Sequence, residues 1–171
     1  GEAQYTIWCD DRGYVNEDGV VFRHGPDEFL LTAAEPNLAY FLDLIGDLRV
    51  EMTDVTYDYA TLAVQGPRSR VVLEQLAPEV KSLGYFEHTP AKVNGIQVTI
   101  SRTGFTGDLG FEVFSTAADA DAIWDAVVEA GTPHGLLPFG QTALLIARIE
   151  AGLLLINVDF EASRLAENDE H

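Results

Sequence analysis

The segment AKVNGIQVTI, residues 91–100, decides the fold class of this chain. Its central pair, Asn94-Gly95, tolerates the positive φ angles of a type I′ turn between two short strands, so the segment predicts an antiparallel hairpin. On either side of it, β-branched and aromatic runs bounded by turn residues predict further short strands. These strands are expected at residues 4–10, 20–23, 29–32, 50–56, 59–64 and 111–114.

Apolar residues at helical spacing predict helices between the strands, over residues 35–46, 68–76, 117–130 and 141–151. Gly131 is the expected C-cap of the third helix. Antiparallel strands interspersed with helices predict an α+β fold, with antiparallel sheets and helices packed on one face. The expected core positions of these helices are Leu38, Phe41, Leu42, Ile45, Val71, Val72, Leu76, Ala120, Ile123, Trp124 and Val127.

Composition bounds the class of protein. The chain has 171 residues, of which 47% are apolar, enough to form a sizeable core. With 28 acidic and 10 basic residues the net charge is −18, and no basic stripe is present, so nucleic acid and anionic membranes are not expected partners. The single cysteine, Cys9, excludes an internal disulfide framework. No signal peptide is visible, and a cytoplasmic location is expected.

Three segments carry side chains suited to chemistry: residues 16–19 (NEDG), 101–112 (SRTGFTGDLGFE) and 140–152. The first has the composition of a solvated β-turn. The second has three glycines within seven residues, which imply tight turns or close approach to a ligand, and Glu112 could accept two N–H bonds from a heterocycle. An irregular connection with an outward-facing acid is the alternative. In the third, Arg148 is expected to pair with a buried acid or to cap backbone carbonyls.

Other site classes lack support. The histidines, His24, His88, His134 and His171, show no metal-ligand spacing, so no metal site is predicted. Neither a Walker loop nor a Gly-x-Ser-x-Gly elbow is present. Cys9 lacks the cationic neighbours that activate a thiol, and is expected to be a small core residue.

Taken together, five segments resemble the glycine-cleavage T-protein (aminomethyltransferase) family and its folate-dependent relatives. In the order of the family, they are residues 5–9 (YTIWC), 13–23 (GYVNEDGVVFR), 62–67 (LAVQGP), 101–112 and 135–152. The fourth is the most specific, because it follows the family's Ser-Arg-Thr-Gly-Tyr-Thr-Gly-Glu-Asp-Gly-Phe-Glu. The resemblance spans nearly the whole chain.

The resemblance implies roles for individual residues. Asp18 corresponds to the aspartate that faces the reactive nitrogens of tetrahydrofolate, and is the expected catalytic residue. Glu112 corresponds to the glutamate that binds the pterin edge. Phe105 stands at a position where the family usually has tyrosine, and would stack on the cofactor. The other expected cofactor-binding residues, which would wall the pocket, are Tyr5, Val20 and Phe22.

Family members are roughly twice as long, with three domains around a folate cavity. By analogy, residues 1–54 would form part of the second folate-binding domain, and residues 55–171 part of the first. The C-terminal barrel domain would be absent. The polar end, residues 162–171, looks unfinished. Apolar faces that the missing parts would cover, such as residues 153–156 (LLLI), are expected to make the isolated segment self-associate or bind those parts.

The resemblance implies a tetrahydrofolate-dependent transferase of an aminomethyl or methyl group. The donor would be a small molecule or a carrier-bound group. Two departures bear on its identity: Leu144 stands where the T-protein has an arginine that helps hold folate, and Leu109 replaces an aspartate. A folate-binding or regulatory module without catalysis is the alternative.

Overall fold

The computed structural model describes residues 1–166 and divides the chain into two compact units. Unit 1 consists of Gly1–Ala3 and Tyr57–Leu154, and unit 2 of Gln4–Thr56 with the described residues from Leu155 onward. The assignment of residues 1–54 and 55–171 to the second and first folate-binding domains stays a prediction. Residues 167–171, the end of the polar tail, lie outside the described residues.

Unit 2 is built on a three-stranded sheet of order β1-β2-β3. The strands are β1 (Glu2–Cys9, its first two residues in unit 1), β2 (Val15–Arg23) and β3 (Phe29–Ala33), and helix α1 (Leu38–Ile45) follows. The rings of Trp8 and Phe41 lie 5.2 Å apart and join this helix to the sheet. The strand predicted at residues 50–56 is absent, because that stretch is irregular.

Strand β2 begins earlier than predicted, and this corrects the interpretation of residues 16–19 as a possible solvated turn. Asn16 and Glu17 are buried instead. Gly19 pairs with Ala33, and the neighbouring backbone comes so close that a Cβ at Gly19 would lie 1.9 Å from the Thr32 carbonyl oxygen. The glycine therefore serves close strand packing and not a turn.

Unit 1 contains a four-stranded antiparallel sheet of order β4-β7-β6-β5. The strands are β4 (Tyr59–Gln65), β5 (His88–Val93), β6 (Ile96–Ser101) and β7 (Gly110–Thr116). The predicted hairpin is confirmed: Val93 pairs with Ile96, and the turn residues Asn94 and Gly95 have φ angles of 49° and 84°.

Three helices of unit 1 complete the α+β fold: α2 (Ser69–Leu76), α3 (Ala120–Gly131) and α4 (Gln141–Glu150). Single 3₁₀ turns lie at Pro78–Ser82, Ala117–Asp119 and Thr132–His134. Helices α2 and α3 share one core with the sheet. Its fully buried members include Leu73, Val80, Val93, Ile100, Phe111 and Val113. Among the described residues, no helix is long and apolar enough to span a bilayer.

Two predictions about these helices are wrong. Val71 and Trp124, expected in the core, are 48% and 43% exposed, because the buried faces run through Val72 and Leu73 on α2 and through Ile123 and Val127 on α3. Gly131 is the last residue of α3, with a φ of −83°, and does not cap it in the left-handed region. The chain continues into a 3₁₀ turn, and Gly135 takes the left-handed conformation there.

Candidate functional site

Asp18, the expected catalytic residue, lies on β2 beside Tyr5 on β1. The Tyr5 hydroxyl donates a hydrogen bond of 2.8 Å to Oδ2 of Asp18. Within residues 1–166 this is the one hydrogen bond of the Asp18 carboxylate, so its Oδ1 has no hydrogen-bond partner there. Partial burial, the hydrogen bond and the charge of Asp18 raise the pKa of the Tyr5 phenol to about 12. Tyr5 therefore stays a donor at neutral pH and orients the carboxylate.

Val20 and Phe22 follow Asp18 at two-residue spacing, which places all three on one face of β2. Val20 is half-buried, whereas Phe22 is only 1% exposed and forms part of the interior of unit 2. The structure thus brings Asp18 and Tyr5 into contact and places Val20 between Asp18 and a buried ring. The expected roles of these residues in a cofactor pocket stay predictions.

Glu17, which the sequence analysis missed, lies fully buried next to Asp18. Its Oε1 accepts a 3.0 Å hydrogen bond from the Asp18 backbone N–H, and its Oε2 accepts one of 3.4 Å from the Asn37 amide. Asn37 accepts in turn from the Trp8 indole at 3.2 Å. The only sequence sign of this network was an acid directly before Asp18, in a segment whose composition suited a turn.

Glu112 of unit 1 lies on β7, paired in register with Ser101 on β6. The Thr103 hydroxyl donates to Oε2 of Glu112, and the hydroxyls of Ser101 and Thr103 share a further hydrogen bond. Burial raises the pKa of the Glu112 carboxyl, and the Thr103 hydrogen bond opposes that rise. Glu112 is therefore a mostly buried, oriented acceptor, and the alternative of an outward-facing acid is wrong.

This burial predicts the pH dependence of a Glu112→Gln variant. A carboxyl whose pKa is raised on folding contributes stability that is present below its unfolded value, near 4.5, and is lost as pH rises through the folded value. We therefore expect the free energy of unfolding of the variant, relative to wild type, to increase as pH rises above 4.5. Urea titrations across this range measure it. The exposed Glu129→Gln variant is the control for removing one carboxylate from unit 1. A flat profile for Glu112→Gln would contradict the expectation.

The glycine-rich segment between β6 and β7 is organised by Gln65, another residue that the sequence analysis left without a role. Its Nε2 donates to the Phe111 carbonyl at 2.9 Å, and its Oε1 accepts from the Thr106 hydroxyl at 3.3 Å. A Cβ at Gly104 or Gly110 would lie 2.2 or 1.7 Å from this Oε1. The two glycines therefore make room for the Gln65 amide. Phe105, the expected stacking residue, is half-buried in the same segment.

Gln65→Leu keeps the approximate size of the side chain but removes its donor, which leaves the Phe111 carbonyl without that bond. We expect a loss of about 1–3 kcal/mol in the free energy of unfolding, the usual cost of an unsatisfied buried group. Chemical denaturation measures the loss. Gln97→Leu, an exposed position on β6, is the matched control and should change little. Equal stability of the two variants would show that Gln65 does not organise the segment.

Helix α4 carries Arg148 and Leu144. Arg148 is 3% exposed, and its Nη1 donates to the Leu153 carbonyl at 3.1 Å, which confirms the prediction that it caps backbone carbonyls.

Leu144 lines a largely apolar cavity of about 520 Å³ in unit 1, together with Arg68, Trp124 and Phe139. In the part of the chain that the structure describes, no group of three or more His, Cys, Asp or Glu could hold a metal ion.

A family model and several known proteins match most of this chain. Residues 1–166 match the family model described as the GCVT N-terminal domain. An aminomethyltransferase of Saccharopolyspora erythraea is 35% identical over 167 residues, covering 95% of this chain and 46% of the relative. A trimethylamine-oxide aldolase of Ruegeria pomeroyi is 37% identical over 175 residues, covering 94% of this chain and 22% of the relative. The chain thus spans less than half the length of either relative.

A solved structure has the same fold. The glycine cleavage system aminomethyltransferase T from Bartonella henselae superimposes with a TM-score of 0.78 over 95% of this chain and 44% of that protein. The two sequences are 24% identical, so this likeness concerns the fold alone. It confirms the expected arrangement of antiparallel sheets and helices.

Proposed function

The chain belongs to the family of GCVT N-terminal domains, and we propose that it takes part in transferring an aminomethyl or methyl group to tetrahydrofolate. Family membership confirms the resemblance that the five sequence segments carry. The observation that most supports the activity is the Asp18 carboxylate: Tyr5 holds its Oδ2, Glu17 holds the Asp18 backbone N–H, and Oδ1 has no hydrogen-bond partner within residues 1–166. A relative named aminomethyltransferase, similar over 95% of this chain, adds support.

The residues present fit tetrahydrofolate. A pterin ring offers an edge of N–H donors, and Glu112 is a mostly buried acceptor. Its Oε2 accepts a hydrogen bond from the Thr103 hydroxyl, whereas its Oε1 has no hydrogen-bond partner within residues 1–166. Phe105 offers an aromatic face within the same unit. Tetrahydrofolate, when bound, supplies the nitrogens that accept the one-carbon group. In this proposal Glu112 fixes the ring and Phe105 packs on it.

The resemblance assigns Asp18 to the reactive nitrogens of tetrahydrofolate. Its negative charge would stabilise positive charge that develops on a folate nitrogen, and its Oδ1 would accept a proton from that nitrogen. Tyr5 keeps its proton and holds Oδ2, so the carboxylate presents Oδ1 in one orientation. Most of the rate gain would come from holding donor and acceptor in line, since positioning can supply several kcal/mol of a transfer barrier.

A second candidate function is a folate-binding or regulatory module without catalysis. It is favoured by Leu144, an apolar residue on α4 at the position where the resemblance places a folate-holding arginine. Both candidates predict binding of tetrahydrofolate. They differ in whether a small or carrier-bound one-carbon donor is turned over.

Calorimetry with tetrahydrofolate on the full-length protein tests the binding common to both candidates. We expect saturable binding that weakens in Glu112→Gln, while the exposed Glu129→Gln control binds as wild type. A subsequent screen of aminomethyl and methyl donors, with methylated folate as the detected product, separates the transferase from the non-catalytic module. Absence of binding at millimolar ligand would contradict both.

A further inference from the structure

Ser163 and Arg164, in the described part of the polar tail, bind back onto strand β2 within unit 2. The Ser163 backbone N–H donates to the Val15 carbonyl at 2.8 Å, and its hydroxyl donates to Oδ1 of Asn16 at 2.5 Å. Arg164 then donates through Nη1 to the Asn16 carbonyl at 2.5 Å and through Nη2 to Oε2 of Glu17 at 3.5 Å. The tail therefore holds three successive residues of β2, ending directly before Asp18.

Glu17 depends on Arg164 for a cationic partner. Its side chain is 0% exposed, and within residues 1–166 Arg164 is the only cationic side chain paired with it. A buried carboxylate without a partner is strongly disfavoured, so loss of Arg164 would move the Glu17 side chain. That movement would disturb the bond from the Asp18 backbone N–H to Glu17 Oε1, because that oxygen belongs to the same carboxylate.

We propose that Arg164 is a positioning residue for Asp18, acting through the buried Glu17 carboxylate. The proposal rests on the proposed function, since it supposes that Asp18 acts on a folate nitrogen. Arg164 fixes the orientation of the Glu17 side chain, Glu17 holds the Asp18 amide, and Tyr5 holds the Asp18 side chain from β1. Loss of the first contact shifts the backbone of Asp18, and small displacements of a reacting group cost large factors in rate.

Arg164→Met in the full-length protein tests this. We expect one-carbon transfer at saturating tetrahydrofolate to fall by about tenfold or more while the Kd for tetrahydrofolate changes little. Hydrogen exchange of the Asp18 amide, followed by NMR, should accelerate by a similar factor, while the amides of unit 1 exchange as before. Arg12→Gln is the matched control, because the exposed Arg12 pairs with Asp10 in the same unit. It should alter neither the transfer rate nor the exchange of Asp18.

Coupling through Glu17 is tested by the double variant Glu17→Gln with Arg164→Met. A glutamine can still accept from the Asp18 N–H and leaves no buried charge without a partner, so the double variant should be faster in transfer than Arg164→Met alone. If the double variant loses as much transfer rate as the two single variants combined, the proposed route through Glu17 is overturned. If Arg164→Met fails to fold, Arg164→Gln removes the charge but keeps a polar side chain, and it should show slower transfer and faster Asp18 amide exchange. Unaltered transfer and exchange in Arg164→Gln would overturn the proposal.

The two proposals can fail separately. Lowered thermal stability of Arg164→Met with unaltered transfer and unaltered Asp18 exchange would show that Arg164 is structural only. If Asp18→Asn retains the wild-type transfer rate, the proposed function of Asp18 fails. In that case the Asp18 exchange still decides whether Arg164 and Glu17 hold this backbone position.

Discussion

Asp18→Asn is expected to lower the rate constant of one-carbon transfer by about 10²-fold or more, the usual scale for a lost acid–base or electrostatic group. Asparagine has the shape of aspartate, and its carbonyl oxygen can still accept the hydrogen bond from Tyr5. The Asp18 backbone N–H keeps its bond to Glu17. The substitution therefore removes the charge and little else, and tetrahydrofolate affinity should change little.

Single-turnover kinetics at saturating tetrahydrofolate, together with calorimetric Kd values, measure the two effects separately. Asp43→Asn, an exposed position on α1 of the same unit, is the matched control and should behave as wild type. Equal losses in rate and affinity would assign Asp18 to ground-state binding instead. An unaltered rate would remove Asp18 from the mechanism.

Phe111→Ala is expected to have the largest effect on stability, a loss of about 3–5 kcal/mol in the free energy of unfolding of unit 1. The Phe111 side chain is 0% exposed in the core between the sheet and helices α2 and α3. The Arg70 guanidinium lies 5.3 Å from the ring centroid and would lose this contact. Because Glu112 is the next residue on β7, tetrahydrofolate binding should weaken as well.

Urea denaturation of unit 1 can be followed through Trp124, one of the two tryptophans of the chain, in a Trp8→Phe background. Tyr57→Ala is the matched control, since this aromatic residue of the same unit is 92% exposed and its truncation leaves no cavity. A loss below about 1 kcal/mol for Phe111→Ala would mean that the core around β7 collapses to fill the space.

Features that depend on near neighbours in the chain could be predicted from the sequence. The hairpin at Asn94-Gly95 follows from the positive φ angles that these two residues tolerate, and the strands and most helices follow from apolar spacing. The fold class and the family could also be recognised, because their motifs are continuous in the sequence. The glycine-rich segment that ends at Glu112 is an example. Exposed and buried positions on α2 and α3 were less well predicted, since which face is covered depends on the sheet beneath.

The surroundings of the Asp18 and Glu112 carboxylates could not be predicted from the sequence, because they form through tertiary contacts. Residues 16–19 have the composition of a turn, yet they form a strand, because β1, β3 and the tail supply partners that turn propensity does not describe. Arg164 contacts Glu17 across 147 positions in the chain, and Gln65 reaches the Phe111 carbonyl across 46. Such pairs leave no periodic or compositional pattern. They form because burial makes an unpaired charge or carbonyl costly, and that cost exists only once the chain has folded.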